Sequence, residues 1–249
     1  MRLTLSKTLY YAAICIAAFF LCSSTFGNLK VNFVQGKVES IQDNENESVT
    51  IHSLTQDEIL PYNQLICSAK GSRAEFQIKS KVIRLGSLSV LSVLDENSFF
   101  LHSGTMLISS VKETEVNLSS SESNATFTGS GTILLETTKN SGFKFIPFEA
   151  RGILKTQGGD SQNVIGGRLL LVLGNPSRLG DAYDLDLMLL LKTCRLINSY
   201  PTPLETFGRI SLAVYSQELK LKGKYNALIG DATTENNLQV WAFGDEADQ

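Results

Sequence analysis

The residues that could carry chemistry are few and widely separated in this sequence. Only two histidines are present, His52 and His102, and neither lies at a spacing that metal sites or hydrolases use. No G-x-S-x-G motif marks a serine nucleophile. The "GSGT" of residues 129–132 lacks the lysine of a phosphate-binding loop and precedes a strand-like run, so it indicates a turn or a bulge. The sequence therefore gives no support to a nucleophile, a metal site or a phosphate loop.

The acidic residues leave one enzymatic alternative open. Glu136, Glu149 and Asp160 lie in a region of short strands, and a glycoside hydrolase needs two carboxylates that face each other across a groove. Acidic residues on outward strand faces ordinarily only keep a sheet soluble. A further acidic group within residues 181–186 misses the spacing and the glycine of a calcium loop, and helix capping explains it.

Composition bounds the class of protein. The chain has 249 residues, of which 43% are hydrophobic and 19% are charged, which is typical of a globular chain that buries a core. The formal net charge is −3 and no basic tract stands out, so nucleic acid is not expected as a partner.

The N-terminus has the pattern of a secretory signal peptide. Arg2 and Lys7 precede the apolar run "LYYAAICIAAFFLC", and the small and polar residues "SSTFG" follow it. Cleavage is expected near Ser24 or Gly27, which makes the mature chain periplasmic or secreted. The alternative is an uncleaved membrane anchor, because no charged residue lies between Lys7 and Lys30.

Removal of the signal peptide leaves two cysteines in an oxidising compartment. Cys67 and Cys194 either form a disulfide or remain two buried thiols that pack as small hydrophobic residues.

Short alternating runs from residue 29 to about residue 172 predict strands and turns. In "RAEFQI" the apolar residues fall on one face and the polar residues on the other, so one face is expected to be buried and the other wet. Ser80 and Lys81 are expected to form the following turn. Ile83 and Leu85 continue the apolar face, which points Arg84 outward or along the sheet surface. No helix-period segment of useful length interrupts this region, so the fold class is all-β, either a short-stranded β-sandwich or a β-solenoid.

Two helices are expected after residue 180. The first lies in "DLDLMLLLKTCRLI", begins at Asp184 or Asp186 and ends near Lys192 and Arg195. The second lies in "PLETFGRISLAVYSQELKLKG", with Glu205 in its first turn and Gly223 just past its end. The expected organisation is a signal peptide at residues 1–27, a β domain at residues 28–178 and a helical extension at residues 179–249.

The segment "GSRAEFQIKSKVIRLGSLSVLSV" at residues 71–93 resembles the central part of FecR-type domains, the periplasmic module of ferric-citrate regulators. "VQGKVESI", "LHSGTMLISS", "ATFTGSGTILLE" and "GGRLLLVL" are similar to other strands of that family, in the same order. The C-terminal segments "LLKTCRLINSYPTPL" and "ISLAVYSQELKLKG" are similar to the tails of stand-alone secreted FecR-like proteins from bacteria of the Verrucomicrobia kind. The matched framework positions are Gly36, Ile83, Arg84, Leu85, Gly86, Gly104, Gly129, Gly131 and Thr132.

The resemblance implies an all-β module that senses or binds, with no catalytic residues, no metal and no cofactor. The sequence departs from the regulators of the family, because only a few residues precede the apolar N-terminal run, where those regulators carry a cytoplasmic segment that holds a sigma factor. The motif "IRLG" is then expected to be framework, with Gly86 at a corner and Arg84 free to pair with a carboxylate or a partner.

Two hypotheses from different classes follow. The first is a non-enzymatic exported binding, sensing or assembly module of the bacterial cell envelope, whose partner is an envelope protein or a glycan. The second is a secreted polysaccharide-active enzyme that uses paired carboxylates. The apolar "LMLLLKTCRLI" either packs on the sheet, or seals a dimer or docks a partner.

Overall fold

The structure is a computed structural model that describes residues 28–43, 49–221, 227–229 and 239–241. The predictions for the signal peptide and for the helix end at Gly223 lie outside these residues. Within them, the chain is mostly strand, with three helices near the C-terminus, which confirms the all-β class with a helical extension. None of the described helices is long and apolar enough to cross a bilayer.

Seventeen of the described strands form one large mixed sheet. The strands of its first half are β1 Asn28–Gln35, β2 Val38–Asp43, β3 Val49–Ser53, β4 Ile59–Pro61, β5 Leu65–Ser68, β6 Arg73–Ile78, β7 Lys81–Leu85, β8 Val90–Val93 and β9 Ser98–Ser103. The strands of its second half are β10 Thr105–Ser119, β11 Asn124–Thr137, β12 Phe143–Pro147, β13 Arg151–Thr156, β14 Ser161–Val164, β15 Arg168–Leu173, β16 Arg178–Leu179 and β17 Tyr183–Asp184. A short hairpin follows near the C-terminus, formed by β18 Ala227–Ile229 and β19 Gln239–Trp241.

The sheet has two wings that share its longest hairpin, β10–β11. The helix-side wing runs β4–β1–β6–β7–β10–β11–β12–β15, through the first part of β10 and the last part of β11. The far wing runs β3–β2–β5–β8–β9–β10–β11–β13–β14, through the other parts of the same two strands. All of these neighbours are antiparallel except β9 and β10, which are parallel.

The two wings separate at a bulge in the shared hairpin. The register of β10 against β11 shifts between Ser110 and Thr114, opposite Gly131 and Gly129. This is the "GSGT" segment, and the prediction of a turn or bulge there is confirmed.

The inner faces of the two wings form one hydrophobic core. Inward residues of the helix-side wing, such as Phe76 and Phe145, belong to the same buried cluster as Phe99 and Phe127 of the far wing. The rings of Phe127 and Phe145 lie 5.5 Å apart, so they join the wings directly. The prediction from the alternating pattern is therefore confirmed: the apolar side chains of these strands lie on the face that is buried in the core.

The C-terminal extension contains α1 Leu187–Thr193, α2 Arg195–Asn198 and α3 Phe207–Leu221. The prediction of a single first helix was wrong, because Cys194 has an extended ψ of 101° and separates α1 from α2. The Asn198 amide donates to the carbonyl of Leu191 and so caps the broken end. Asp186 is the N-cap of α1 and accepts a hydrogen bond from the Leu189 N–H at 2.9 Å. Of the two predicted helix starts, Asp184 and Asp186, the second is therefore correct.

Two further boundaries differ from the prediction. The second long helix begins at Phe207, so Glu205 precedes it instead of lying in its first turn. The β6–β7 turn consists of Lys79 and Ser80, because Ile78 pairs with Lys81. Lys81 is held in the strand by burial and by its ammonium, which donates to the Asn97 side chain at 2.8 Å.

Candidate functional site

The outer face of the helix-side wing is covered by the C-terminal extension. One cross-strand row on this face passes through Glu75, Arg84, Leu107, Leu134 and Ile146, each directly opposite the next. The apolar members of the row belong to a second buried cluster with residues of all three helices. The segment "LMLLLKTCRLI" thus packs on the sheet, which was the first of the two alternatives given for it.

Arg84 is the centre of this contact. Its side chain is 1% exposed, and its Nε donates to Glu75 Oε2 at 2.7 Å. Its other nitrogens donate to the carbonyl oxygens of Leu196 at 2.9 Å and Thr202 at 2.6 Å. The prediction that Arg84 points away from the apolar face is correct, but the expectation that it lies at the surface was wrong. The helices cover this second face of the sheet and bury Arg84. The prediction that Arg84 pairs with a carboxylate or a partner named no residue, and the carboxylate proves to be that of Glu75, which the alternating pattern assigned to the wet face.

Tyr200 completes the contact from the side of the extension. The Arg84 guanidinium lies 4.2 Å from the centre of the Tyr200 ring. The Tyr200 hydroxyl donates to the main-chain carbonyls of Ala74 at 3.2 Å and Leu85 at 3.1 Å. Burial raises the pKa of this hydroxyl far above its ordinary value, and the positive charge of Arg84 only partly opposes that shift. Tyr200 therefore stays a neutral donor that holds the extension to β6 and β7.

A second polar cluster joins the sheet to the start of α3. The hydroxyls of Ser109, Thr132 and Thr206 lie within 3.1 Å of one another. The Glu149 carboxylate accepts from the Thr132 N–H at 3.0 Å, and the Arg209 guanidinium lies 4.0 Å away. Burial raises the pKa of Glu149, which the hydrogen bond from Thr132 partly opposes. Sequence reasoning gave Thr132 only a framework role and did not detect this cluster.

A cleft of about 310 Å³ opens beside the Arg84 contact, between the sheet and the helices. Its wall includes the turn before β6, the end of β7 and the junction of α1 and α2. Two arginines line it, Arg73 from the sheet and Arg195 from α2, and none of its described lining residues is acidic. Arg73 donates through two nitrogens to the Gln35 side chain, which fixes its position. The full lining is Gly71, Ser72, Arg73, Gly86, Ser87, Thr105, Leu134, Thr193, Cys194, Arg195 and Leu196.

The framework glycines lie where strands or turns approach closely. Gly131 has a φ of +113°, and a Cβ there would lie 2.4 Å from the Ala150 Cα. A Cβ on Gly86 would meet the Thr105 hydroxyl at 2.1 Å. The remaining glycines of the set, Gly36, Gly104 and Gly129, would likewise bring a Cβ into contact closer than 2.5 Å. Ile83 and Leu85 are fully buried in the core between the wings.

The three carboxylates of the enzymatic alternative have separate partners. Glu136 pairs with Lys144 at 3.0 Å, and Asp160 pairs with Arg178 at 3.0 Å. Asp160 also accepts from the Leu179 N–H, the first cause of its lowered pKa. Glu149 is buried beneath the start of α3.

The two histidines and the two cysteines of the described residues each have separate surroundings. His52 lies 2.8 Å from the Glu58 carboxylate, and His102 lies 3.0 Å from the Ser92 hydroxyl. Burial lowers the pKa of His102. Cys67 and Cys194 are free thiols, and burial raises the pKa of both. Within the described part of the chain, no group of three potential metal ligands comes together.

Comparisons with known proteins add no assignment, since no family model and no curated protein matches the chain.

Proposed function

We propose that the protein is a non-enzymatic, exported binding module of the bacterial cell envelope, FecR-like in its framework, and that it binds acidic groups in the cleft beside Arg84. The observation that carries this proposal is the cleft itself, which is lined by Arg73 and Arg195 and by no described acidic residue. The chain as a whole has a net charge of −3, so two arginines in one acid-free cleft are a local exception.

The chemistry of the lining suits a carboxylate or a similar anion. Guanidinium groups form charge-assisted hydrogen bonds with carboxylates, and these are stronger than neutral hydrogen bonds. The hydroxyls of Ser72, Ser87 and Thr105 supply further polar groups in the same wall. Acidic residues of an envelope protein and uronic acids of a glycan both present such carboxylates.

The position of the cleft links the proposed site to the family-like motif. Gly71 and Gly86 bracket the "GSRAEFQIKSKVIRLG" stretch, and both line the cleft. Arg84 fixes the extension that supplies the opposite wall, because it binds the carbonyls of Leu196 and Ile197 directly beside Arg195. The same motif thus serves as framework and positions a binding wall.

The arrangement of carboxylates favours this proposal over the polysaccharide-active enzyme. A hydrolytic pair needs one carboxylate free to act as nucleophile or base. Glu136 and Asp160 are each bound to a basic side chain, and Glu149 is covered by α3.

The test measures binding of a defined acidic polymer. The chain recovered after export is titrated with polygalacturonate and with the same polymer after carboxyl reduction. We expect the acidic form to bind and the neutral form to bind at least about tenfold more weakly. Arg195→Gln and Arg73→Gln should each weaken binding about tenfold, whereas Arg151→Gln, a change at an exposed arginine of β13, serves as the matched control.

A second variant tests the place without removing a charge. Thr193 is exposed and lines the cleft, so Thr193→Trp should fill it and reduce binding while both arginines remain. Equal binding of the acidic and neutral polymers, or equal loss in the Arg151→Gln control, would refute the acidic site.

Crosslinking in intact cells, followed by mass spectrometry, distinguishes a protein partner from a glycan and gives the mature N-terminus. A mature N-terminus near residues 24–27 is the expected result.

A further inference from the structure

The outer face of the far wing carries a cross-strand row of four apolar residues and Ser92, called here the apolar row, which ends at an open strand edge. Ile51 lies opposite Ile41, Ile41 opposite Leu65, Leu65 opposite Ser92 and Ser92 opposite Phe100. Ile51 is 61% exposed and the other members are half-buried. On the helix-side wing the corresponding face lies under the helices, whereas no described helix packs on this one.

The edge at the end of this row is β3. Within the described residues, β3 pairs only with β2. Natural edge strands are usually protected by lysine, proline, a bulge or a covering element. The segment Val49–Ser53 contains no lysine and no proline, and its pairing with β2 is regular. Val49 is 60% exposed beside Ile51.

The hydrogen-bond register fixes which backbone groups are available. The Leu54 N–H donates to the Val38 carbonyl at 2.9 Å, which makes the adjacent Ser53–Glu39 pair a non-hydrogen-bonded one. Because the two kinds of pair alternate, the N–H and C=O groups of Val49, Ile51 and Ser53 point away from β2. These groups are on the open edge.

We propose that two copies of this chain pair through β3, antiparallel about a twofold axis at Ile51. The open groups match themselves in that register: Ile51 faces Ile51 of the second copy, and Val49 faces its Ser53, and each pair exchanges both N–H···O=C bonds. β3 contains no lysine, arginine or carboxylate, so no such side chain meets a like charge across the axis. The apolar row then continues from one copy into the other, from Phe100 through the two Ile51 side chains to the second Phe100.

A second copy fits this edge better than an unrelated strand, because the chain itself supplies both the matching backbone groups and an apolar row that continues its own. The row is continued by an identical row, and the exposed Val49 and Ile51 are covered by their own counterparts. The inference is independent of the acidic cleft, which lies on the other wing.

The first test is the molecular mass in solution of the chain recovered after export, by light scattering over a range of concentrations. We expect a dimer that dissociates on dilution. Ile51→Pro removes an N–H that points away from β2, so it leaves the β2–β3 pairing intact and should weaken dimerisation about tenfold or more. Leu212→Lys, at an exposed position of α3, is the matched control and should leave the dimer unchanged.

The second test reads the register and does not depend on the proline variant folding. In a chain that carries Cys67→Ser, Ile51→Cys should crosslink to itself under mild oxidation, because the facing Cα atoms of such a pair are about 5.5 Å apart. Val49→Cys mixed with Ser53→Cys should crosslink, whereas Val49→Cys alone should not. A concentration-independent monomer, a dimer insensitive to Ile51→Pro but lost in Leu212→Lys, or crosslinking in another register would overturn the proposal.

Discussion

The replacement of Arg84 by methionine tests the central contact of the molecule. Methionine fills a similar volume but removes the charge and every donor, so Glu75 stays buried without a counter-ion. The carbonyls of Leu196 and Thr202 also lose their donors. Removal of one partner of a buried ion pair ordinarily costs about 3–5 kcal/mol. We expect the free energy of unfolding of Arg84→Met to fall by about 4 kcal/mol.

The assay is urea unfolding of the purified chain, with hydrogen exchange to locate the residues that lose protection. Because Arg84 holds the extension by its main chain, exchange should increase first in residues 195–221, before β6 and β7 lose protection. Replacement of both partners, Arg84→Met with Glu75→Leu, should recover about 1–2 kcal/mol, since no charge is then left buried alone. Arg151→Met, at an exposed site, should change stability by less than about 0.5 kcal/mol.

A loss below about 1 kcal/mol in Arg84→Met would falsify the interpretation of Arg84 as the main link between sheet and extension. A uniform rise in exchange over both wings would contradict the view that the extension detaches first. In that case Arg84 would act mainly on the strands and not on the helices.

Three further outcomes follow from the structure. The pKa of Glu149 is raised from its ordinary value near 4.5, so the folded state binds the proton more tightly than the unfolded state, and the resulting stabilisation is complete below pH 4.5 and is lost as the pH rises through the raised pKa. In unfolding experiments at a series of pH values, Glu149→Gln should therefore gain stability relative to the unmodified chain as the pH rises through that window. A difference in stability that stays constant with pH would contradict burial as the cause. Gly131→Ala should destabilise the fold more than Gly159→Ala in thermal unfolding, because both have positive φ but only at Gly131 does the new Cβ meet another backbone. Peptide mapping of the purified chain should show no peptide that links Cys67 to Cys194, because both thiols are free. A linked peptide that disappears on reduction would establish the disulfide instead.

The fold class was predictable because the information lies in local sequence. Alternation in "RAEFQI" identifies the buried face of β6 correctly, and Asp186 marks the start of α1. Helix length was harder to predict. A continuous apolar run hid the break at Cys194, which depends on Asn198 turning back to cap Leu191.

The candidate site was not predictable, because it depends on what covers the second face of a sheet. Glu75 and Arg84 are polar residues on the face opposite the core, a pattern typical of a solvated surface. Their burial requires the helices of residues 187–221 to return to β6 and β7 from more than a hundred positions away. The one available signal was the apolar "LMLLLKTCRLI", which required cover, but nothing in the sequence identifies the strands that supply it.

The hairpin β10–β11 has a consequence for the order of folding. Each of its strands contributes one part to the helix-side wing and the other part to the far wing, and the bulge near Gly131 separates the two parts. Because a one-residue slip of an antiparallel strand exchanges its two faces, a slip of β10 or β11 would turn the inward residues of that strand outward in both wings at once. Its loop spans only residues 120–123, so the hairpin closes at small entropic cost. We therefore expect this hairpin to close early, and the strands that are distant in sequence to add to its two ends in slower steps.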